Sequence, residues 1–387
     1  MSNSQSIIYF DAAATTQCAD DITKAMEEFS STHYGNSSSS HTMGRLARQA
    51  TIEATNNISQ LLGCSYDELT LTSGATESNN IVVLGCIEGN RNQNIVICPI
   101  DHKSTLAAAS EMKRRGIEIR YMKVDNWGRI NLDHLAQIID GNTALVSLSY
   151  VNSEIGTIQD LSEIGSLVKK SSALFHIDAA QAAGKIKINV KELGIDCASL
   201  SAHKIYGPKG IGALYSSSVT TERLRPLTFG GGQYRLRSGT LPTQLVVGFG
   251  LAAKHTNNID LASIWSGAEI RRKIILDTLN HHNIHYQLNS PESNTAPHIL
   301  NISIVGIRSE TIINSLPLLC VSSGSACNSD NLAPSHVITG IGHCERRANC
   351  AIRFSFPGDM NIEQVHIGAE IFAAKVGKLQ KLQTGVQ

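Results

Sequence analysis

Between residues 68 and 215 the chain keeps returning to one pattern, a short and almost wholly apolar run followed by a stretch with helical periodicity. The runs are Glu68–Thr72, Asn94–Cys98, Ile117–Val124, Ala144–Tyr150, Ala173–Ile177 and Ile211–Tyr215, with helical stretches starting near Ala75 and running through Lys113 in the first two intervals. Apolar runs of this length suit strands buried on both faces, and strands alternating with helices join by crossover connections. The pattern therefore predicts an α/β fold with a mainly parallel central sheet. In such sheets the functional groups gather in loops just beyond the carboxyl ends of the strands.

After about residue 255 the character changes. Ile264–Leu279 reads as a long helix, Ile299–Val305 alternates like a half-exposed strand, and Asn361–Leu382 reads as a helix. These segments predict a smaller α+β domain built from residues 1–14 and 256–387, beside a large domain over residues 15–255; 387 residues are enough for two domains. With 42% hydrophobic and 17% charged residues, extensive disorder is excluded. Lys plus Arg and Asp plus Glu both number 33, so the basic excess of a nucleic-acid binder is missing. No apolar run reaches the roughly 18 residues of a membrane span, and the first residues lack the basic and apolar regions of a secretory signal. Nine cysteines lie without framework spacing, which fits the reduced thiols of a cytoplasmic protein. His343, Cys344 and Cys350 lack an accompanying C-x-x-C pair, so no metal site is expected.

Three segments carry chemistry. In Ser201-Ala-His-Lys-Ile-Tyr-Gly-Pro-Lys-Gly210 a lysine, Lys204, follows a strand, although such a segment also suits a surface loop. His176-Ile-Asp-Ala-Ala-Gln181 sets Asp178 at the end of an apolar run, where an unpaired carboxylate is costly. Ser73-Gly-Ala-Thr-Glu-Ser78 is a small-residue turn opening a helix, whose free N–H groups and Thr76 hydroxyl suit a phosphate. The Walker nucleotide loop is absent. A phosphate cradle, a carboxylate and a lysine at successive strand ends are what pyridoxal 5'-phosphate needs.

Further segments follow in one order along the chain: Tyr9-Phe-Asp-Ala-Ala-Ala-Thr-Thr16, Asp101-His-Lys103, Val151-Asn-Ser-Glu-Ile-Gly156, Arg237-Ser-Gly-Thr-Leu-Pro242, Ser322-Ser-Gly-Ser-Ala-Cys-Asn-Ser329 and Ile352-Arg-Phe-Ser355. With these, nearly the whole chain resembles the fold-type I, class V aminotransferase group, and within it the IscS/NifS-like cysteine desulfurases, the DndA-like branch included. The resemblance implies that Lys204 holds the cofactor covalently, Asp178 pairs with its pyridine nitrogen and Gln181 contacts its phenolic oxygen. It implies that His102 stacks on the ring and takes the substrate thiol proton, and that Asn152 lies against cofactor and substrate. Ala75, Thr76, Ser201 and His203 would bind the phosphate, with Thr240 reaching it from the other subunit of a homodimer. Arg353 would clamp the substrate carboxylate. Three positions depart from the family pattern, Ala12, Gln17 and Ser37, and none of them removes a chemical group from this set.

Cys327 selects among the reactions of this group. It sits in a run of small polar residues from Ser322 to Pro334, the composition of an exposed and mobile loop, whereas most lone cysteines are buried hydrophobes. Residues 324–334 span at most roughly 36–40 Å when extended, enough for a tethered loop to carry sulfur from a buried cofactor to the surface. The expected activity is conversion of L-cysteine to L-alanine, with sulfur captured as a persulfide on Cys327 and passed to acceptor proteins in iron–sulfur cluster assembly, tRNA thiolation or DNA phosphorothioation. A selenocysteine lyase or class V transaminase is the alternative within the group. A non-catalytic sulfur carrier is the alternative outside it.

Overall fold

The computed structural model describes residues 7–87, 93–231, 233–234, 236–323 and 333–384. Seven strands form the central sheet: β1 (Leu69–Thr72), β2 (Asn94–Ile97), β3 (Glu118–Tyr121), β4 (Thr143–Ser149), β5 (Leu174–Asp178), β6 (Cys197–Ser201) and β7 (Gly212–Ser216). Their order is β1-β7-β6-β5-β4-β2-β3. All neighbours from β6 to β3 pair in parallel, while β7 is antiparallel to both β6 and β1. The reversal of β7 has a simple cause: the link from β6 holds only a short turn, too little chain for a crossover helix. The protein is a mixed α/β structure with a mostly parallel central sheet.

Alternate residues of the inner strands enter opposite cores. Val96, Val146 and Phe175 belong to one, and Ile95, Ile97, Leu145 and Leu174 to the other. Helices cover both faces, so the strands read as continuous apolar runs. Strand β6 is the exception to that reading. It is wholly buried, yet Ser199 and Ser201 break its apolar character, which is why the sequence runs pass it by. Its polar cost is met inside the sheet: His176 Nε2 pairs with Ser199 Oγ at 3.0 Å and His176 Nδ1 with Ser147 Oγ at 2.7 Å, a polar rung across β4, β5 and β6. Strand β3 is shorter than the run Ile117–Val124 predicts. It forms the sheet edge, where Arg120 is tied to Glu118 and Asp140.

A second sheet contains β8 (Tyr286–Leu288), β9 (Ile299–Ile304), β10 (Ser322–Ser323) and β11 (Ala351–Ser355), in the order β8-β9-β11-β10 and antiparallel throughout. The helices Leu261–His281 and Ile362–Thr384 contribute Ile275, Leu279, Phe372 and Val376 to its core, beside Leu300, Ile302, Ile304 and Phe354. The chain's first described segment joins this core. Ile8–Tyr9 pairs in parallel with Leu319–Cys320, and Phe10 is fully buried with its ring 6.0 Å from Phe354 and 5.6 Å from Phe356. Along β11, Ile352 and Phe354 face that core, which sends Arg353 to the opposite side.

Truncating Phe10 to alanine removes a whole ring from this core and should lower unfolding free energy by about 3–5 kcal/mol. Urea unfolding measures it, and a loss below about 1 kcal/mol would show that the N-terminal segment does not hold the second core together.

Candidate active site

Five strands, β1, β2, β4, β5 and β6, present their carboxyl ends along one edge, and the reversed β7 returns the chain to the same edge through Lys209 and Gly210. Together they line a cavity of about 530 Å³.

Beyond β1 the helix Ala75–Gly85 starts from Gly74, whose φ of 151° lies in a region open to glycine. Glu77 accepts from Ser73 N and Thr72 Oγ1 from Gly74 N, while Ser78 N bonds back to Gly74 O. The N–H groups of Ala75 and Thr76 fall in the first turn, where a helix supplies no acceptor of its own. Strand β7 closes tightly behind this turn. A Cβ on Gly212 would lie 2.6 Å from Gly74 Cα, so only glycine fits there.

Lys204 ends a short turn that directly follows β6. Its Nζ donates to Ala13 O at 2.5 Å and Ala14 O at 2.7 Å, which draws the N-terminal segment over the cavity. Lys185 Nζ donates to Lys204 O at 3.1 Å, and burial together with the Lys204 charge pushes its ammonium down to about 8. His203 is pushed down to about 4, first by burial and then by the cations Lys204 and Lys209, so at neutral pH its ring is uncharged; Nδ1 lies 3.1 Å from Thr15 Oγ1. Asp178 Oδ1 accepts from Ala180 N at 2.9 Å, and Oδ2 accepts from Asn79 Nδ2 at 2.8 Å.

Two buried acids line the same cavity. Asp101 Oδ1 accepts from Ser149 N at 2.8 Å and Oδ2 has no hydrogen-bond partner among the described residues. Burial pushes its carboxyl up to about 7 against the pull of the Ser149 bond, with the Asp178 charge adding to the rise. Glu154 is also pushed up to about 7 by burial, opposed by its bond from Ser335 Oγ and by the Arg353 charge. Arg353 Nη1 donates to Ser153 O at 2.9 Å and Nη2 to Asp11 Oδ1 at 2.7 Å, while its buried Nε has no partner among the described residues.

Ala75, Thr76, His102, Asp178, Gln181, Ser201, His203, Lys204 and Arg353 all line the one cavity. Asn152 does not, its neighbours Val151 and Ser153 doing so instead. The Asn152 amide is spent on the backbone, donating to Ile100 O and accepting from Glu154 N and Ile155 N. Thr240 lines a separate cavity of about 250 Å³ with His33, Tyr34 and Asn36. Cys327 lies outside the described residues. Sequence reasoning missed Asp11, Asn79, Asp101, Ser104, Glu154 and Lys185 as site components. Asp11, Asp101 and Glu154 stood inside the quoted segments, and a polar residue next to an apolar run was the available signal.

Comparison with known proteins gives a consistent neighbourhood. Residues 8–367 match the family described as Aminotransferase class-V. The cysteine desulfurase IscS of Rickettsia typhi is 40% identical over 379 residues, covering 97% of this chain and 92% of that protein. A solved NifS-like protein superposes with a TM-score of 0.88 at 32% identity, over 97% of this chain and 100% of its own. The structure of SspA in complex with cysteine superposes with a TM-score of 0.79 at 32% identity, over 90% and 99%.

The raised carboxyl of Asp101 sets a pH test. The folded protein keeps that proton up to about pH 7, whereas an unfolded chain releases it near pH 4. The folded state therefore loses stability as pH rises through this window, and the loss levels off above it. Asp101→Asn removes the proton exchange, so the variant should gain on the wild type by about 1 kcal/mol per pH unit between about pH 4 and 7. Denaturant titrations across that range measure the difference, and a constant gap would mean that Asp101 is ionised throughout.

Proposed function

The chain belongs to the class V aminotransferase family, and from that premise we propose that it is a pyridoxal 5'-phosphate-dependent cysteine desulfurase. It converts L-cysteine to L-alanine and hands the sulfur on from Cys327. The observation that carries this reading is the meeting of Lys204, Asp178 and Arg353 in one cavity, each delivered by a different strand.

The donor set fits the cofactor. Ala75 and Thr76 at the helix start, with Ser201 and His203, suit its phosphate. Asp178 would hold the ring nitrogen in its protonated form, and Lys204 would hold the cofactor covalently. When bound, pyridoxal phosphate supplies an electron sink for the carbon that loses a proton. Lys204 Nζ moves that proton. Arg353 orients the substrate carboxylate through a guanidinium fixed by Ser153 and Asp11. The Cys327 thiolate attacks the substrate sulfur, the carbon–sulfur bond breaks, and the sulfur stays on Cys327 as a persulfide while alanine leaves.

We place the enzyme in the cytoplasm as a homodimer. In support, the eight described cysteines are all free and, among the described residues, no helix is long and apolar enough to cross a membrane. Tyr34 and Phe229 are 77% and 84% exposed, large aromatic surfaces of the kind a partner subunit covers, and Tyr34 lies beside Thr240, which would reach the partner's phosphate. The sulfur acceptors are proteins of iron–sulfur assembly, tRNA thiolation or DNA phosphorothioation.

Incubated with L-cysteine, the purified yellow protein should release alanine and gain the mass of one sulfur on the Cys327 peptide. Cys327→Ser should keep the colour and lose the sulfur adduct; full desulfuration by this variant would sink the mechanism. Arg353→Ala should raise KM for L-cysteine roughly ten- to a hundredfold, the worth of a charge-assisted hydrogen bond, in steady-state alanine release.

A further inference from the structure

Behind the cavity four side chains form a hydrogen-bonded line. Asp178 stands at the end of β5, Asn79 in the helix Ala75–Gly85, and Ser104 and His102 at the start of the helix Lys103–Arg114. Asp178, Asn79 and Ser104 are all buried. The proton positions along this line follow from its fixed end.

A carboxylate only accepts, so Asn79 must turn Nδ2 toward Asp178 Oδ2, 2.8 Å away. The second hydrogen of the same amide meets Ser104 Oγ at 2.9 Å, while Asn79 Oδ1 is left buried with no partner among the described residues. Ser104 Oγ, already accepting, has its own hydrogen to give, and His102 Nδ1 lies 2.8 Å from it. The Ser104 backbone N–H, which can only donate, points at the same nitrogen from 3.2 Å. Two donors converge on Nδ1, so Nδ1 carries a lone pair and the proton of the neutral ring sits on Nε2.

We propose that Ser104 is a positioning residue which, through Asn79, relays the polarity of Asp178 to His102 and holds it as the Nε2–H tautomer. His102 then offers a hydrogen-bond donor to a substrate thiolate and not a base to a thiol, because a nitrogen that already carries hydrogen cannot take another proton. The assignment of the sulfur as its target rests on the desulfurase reading above. The tautomer itself does not, since it follows from protein atoms alone.

Long-range proton–nitrogen correlation spectra of the holoenzyme, labelled with nitrogen-15 in histidine, test the relay directly. The His102 signals are those absent from His102→Gln. In the wild type Nδ1 should resonate as an unprotonated acceptor nitrogen and Nε2 as a protonated one. Ser104→Ala leaves the residue-104 N–H as the remaining donor to Nδ1, so it should draw both signals partway toward tautomer-averaged positions and lower kcat roughly tenfold, the rate equivalent of one lost hydrogen bond, with KM for L-cysteine little changed. Ser104→Thr keeps the hydroxyl and should restore both readouts, which a role in packing alone would not produce. A wild-type Nδ1 bearing the proton overturns the proposal without any serine variant, and so does an unchanged tautomer in Ser104→Ala. An intact Nε2–H tautomer in a protein that binds pyridoxal phosphate yet releases no alanine removes the role on sulfur and the desulfurase reading, while the relay stands.

Discussion

The inner strands of the central sheet have no solvent face. Because both sides of β2, β4, β5 and β6 are buried, helices must cover them in turn, the connections become crossovers, and the carboxyl ends of five strands arrive at one edge. The cavity's polar groups then gather at that edge, while a polar rung also crosses the sheet interior. The rung of Ser147, His176 and Ser199 is tolerated because every one of its atoms that must bond finds a partner on a neighbouring strand. Burial pushes the His176 ring down to about 4, so the rung carries no charge at neutral pH.

What the sequence makes legible follows from range. Lys204, Asp178 and the Ser73–Thr76 turn each sit within a few residues of the strand that positions them, so local pattern is enough to find them. The partner of Arg353 is Asp11, 342 residues earlier, and no local signal pairs them. Burial is equally invisible in a string of letters. Asp101 and Glu154 stood in segments of interest, yet only their enclosure makes them acids that hold protons near neutrality. Asn152 shows another limit: the family resemblance implied a contact with cofactor and substrate, whereas in the structure its side-chain amide bonds to the backbone of Ile100, Glu154 and Ile155.

The cavity gathers groups whose charges have been moved toward neutral pH from both sides. Enclosure raises the carboxyls of Asp101 and Glu154 and lowers Lys185, which is bonded to Lys204 O behind the lining, so these three sit close to a change of state, whereas His203 is pushed the other way and stays uncharged. A ligand that brings its own phosphate, carboxylate and sulfur therefore enters a lining that can redistribute protons at small cost. The fixed points in it are the guanidinium of Arg353 and the backbone carbonyls of Ala13 and Ala14 that receive Lys204.

Strand β11 divides its residues between two tasks. Ile352 and Phe354 face the second core, and Arg353 between them faces the cavity, with Asn301 and Ser322 opposite it on the adjacent strands. A slip of one residue in that pairing would drive a guanidinium into oil and present a phenyl ring to the ligand. The second sheet thus proofreads itself: a chain that misaligns β11 forfeits its apolar core and its anion grip in the same stroke, so no long-lived population can be folded there yet blind to its substrate.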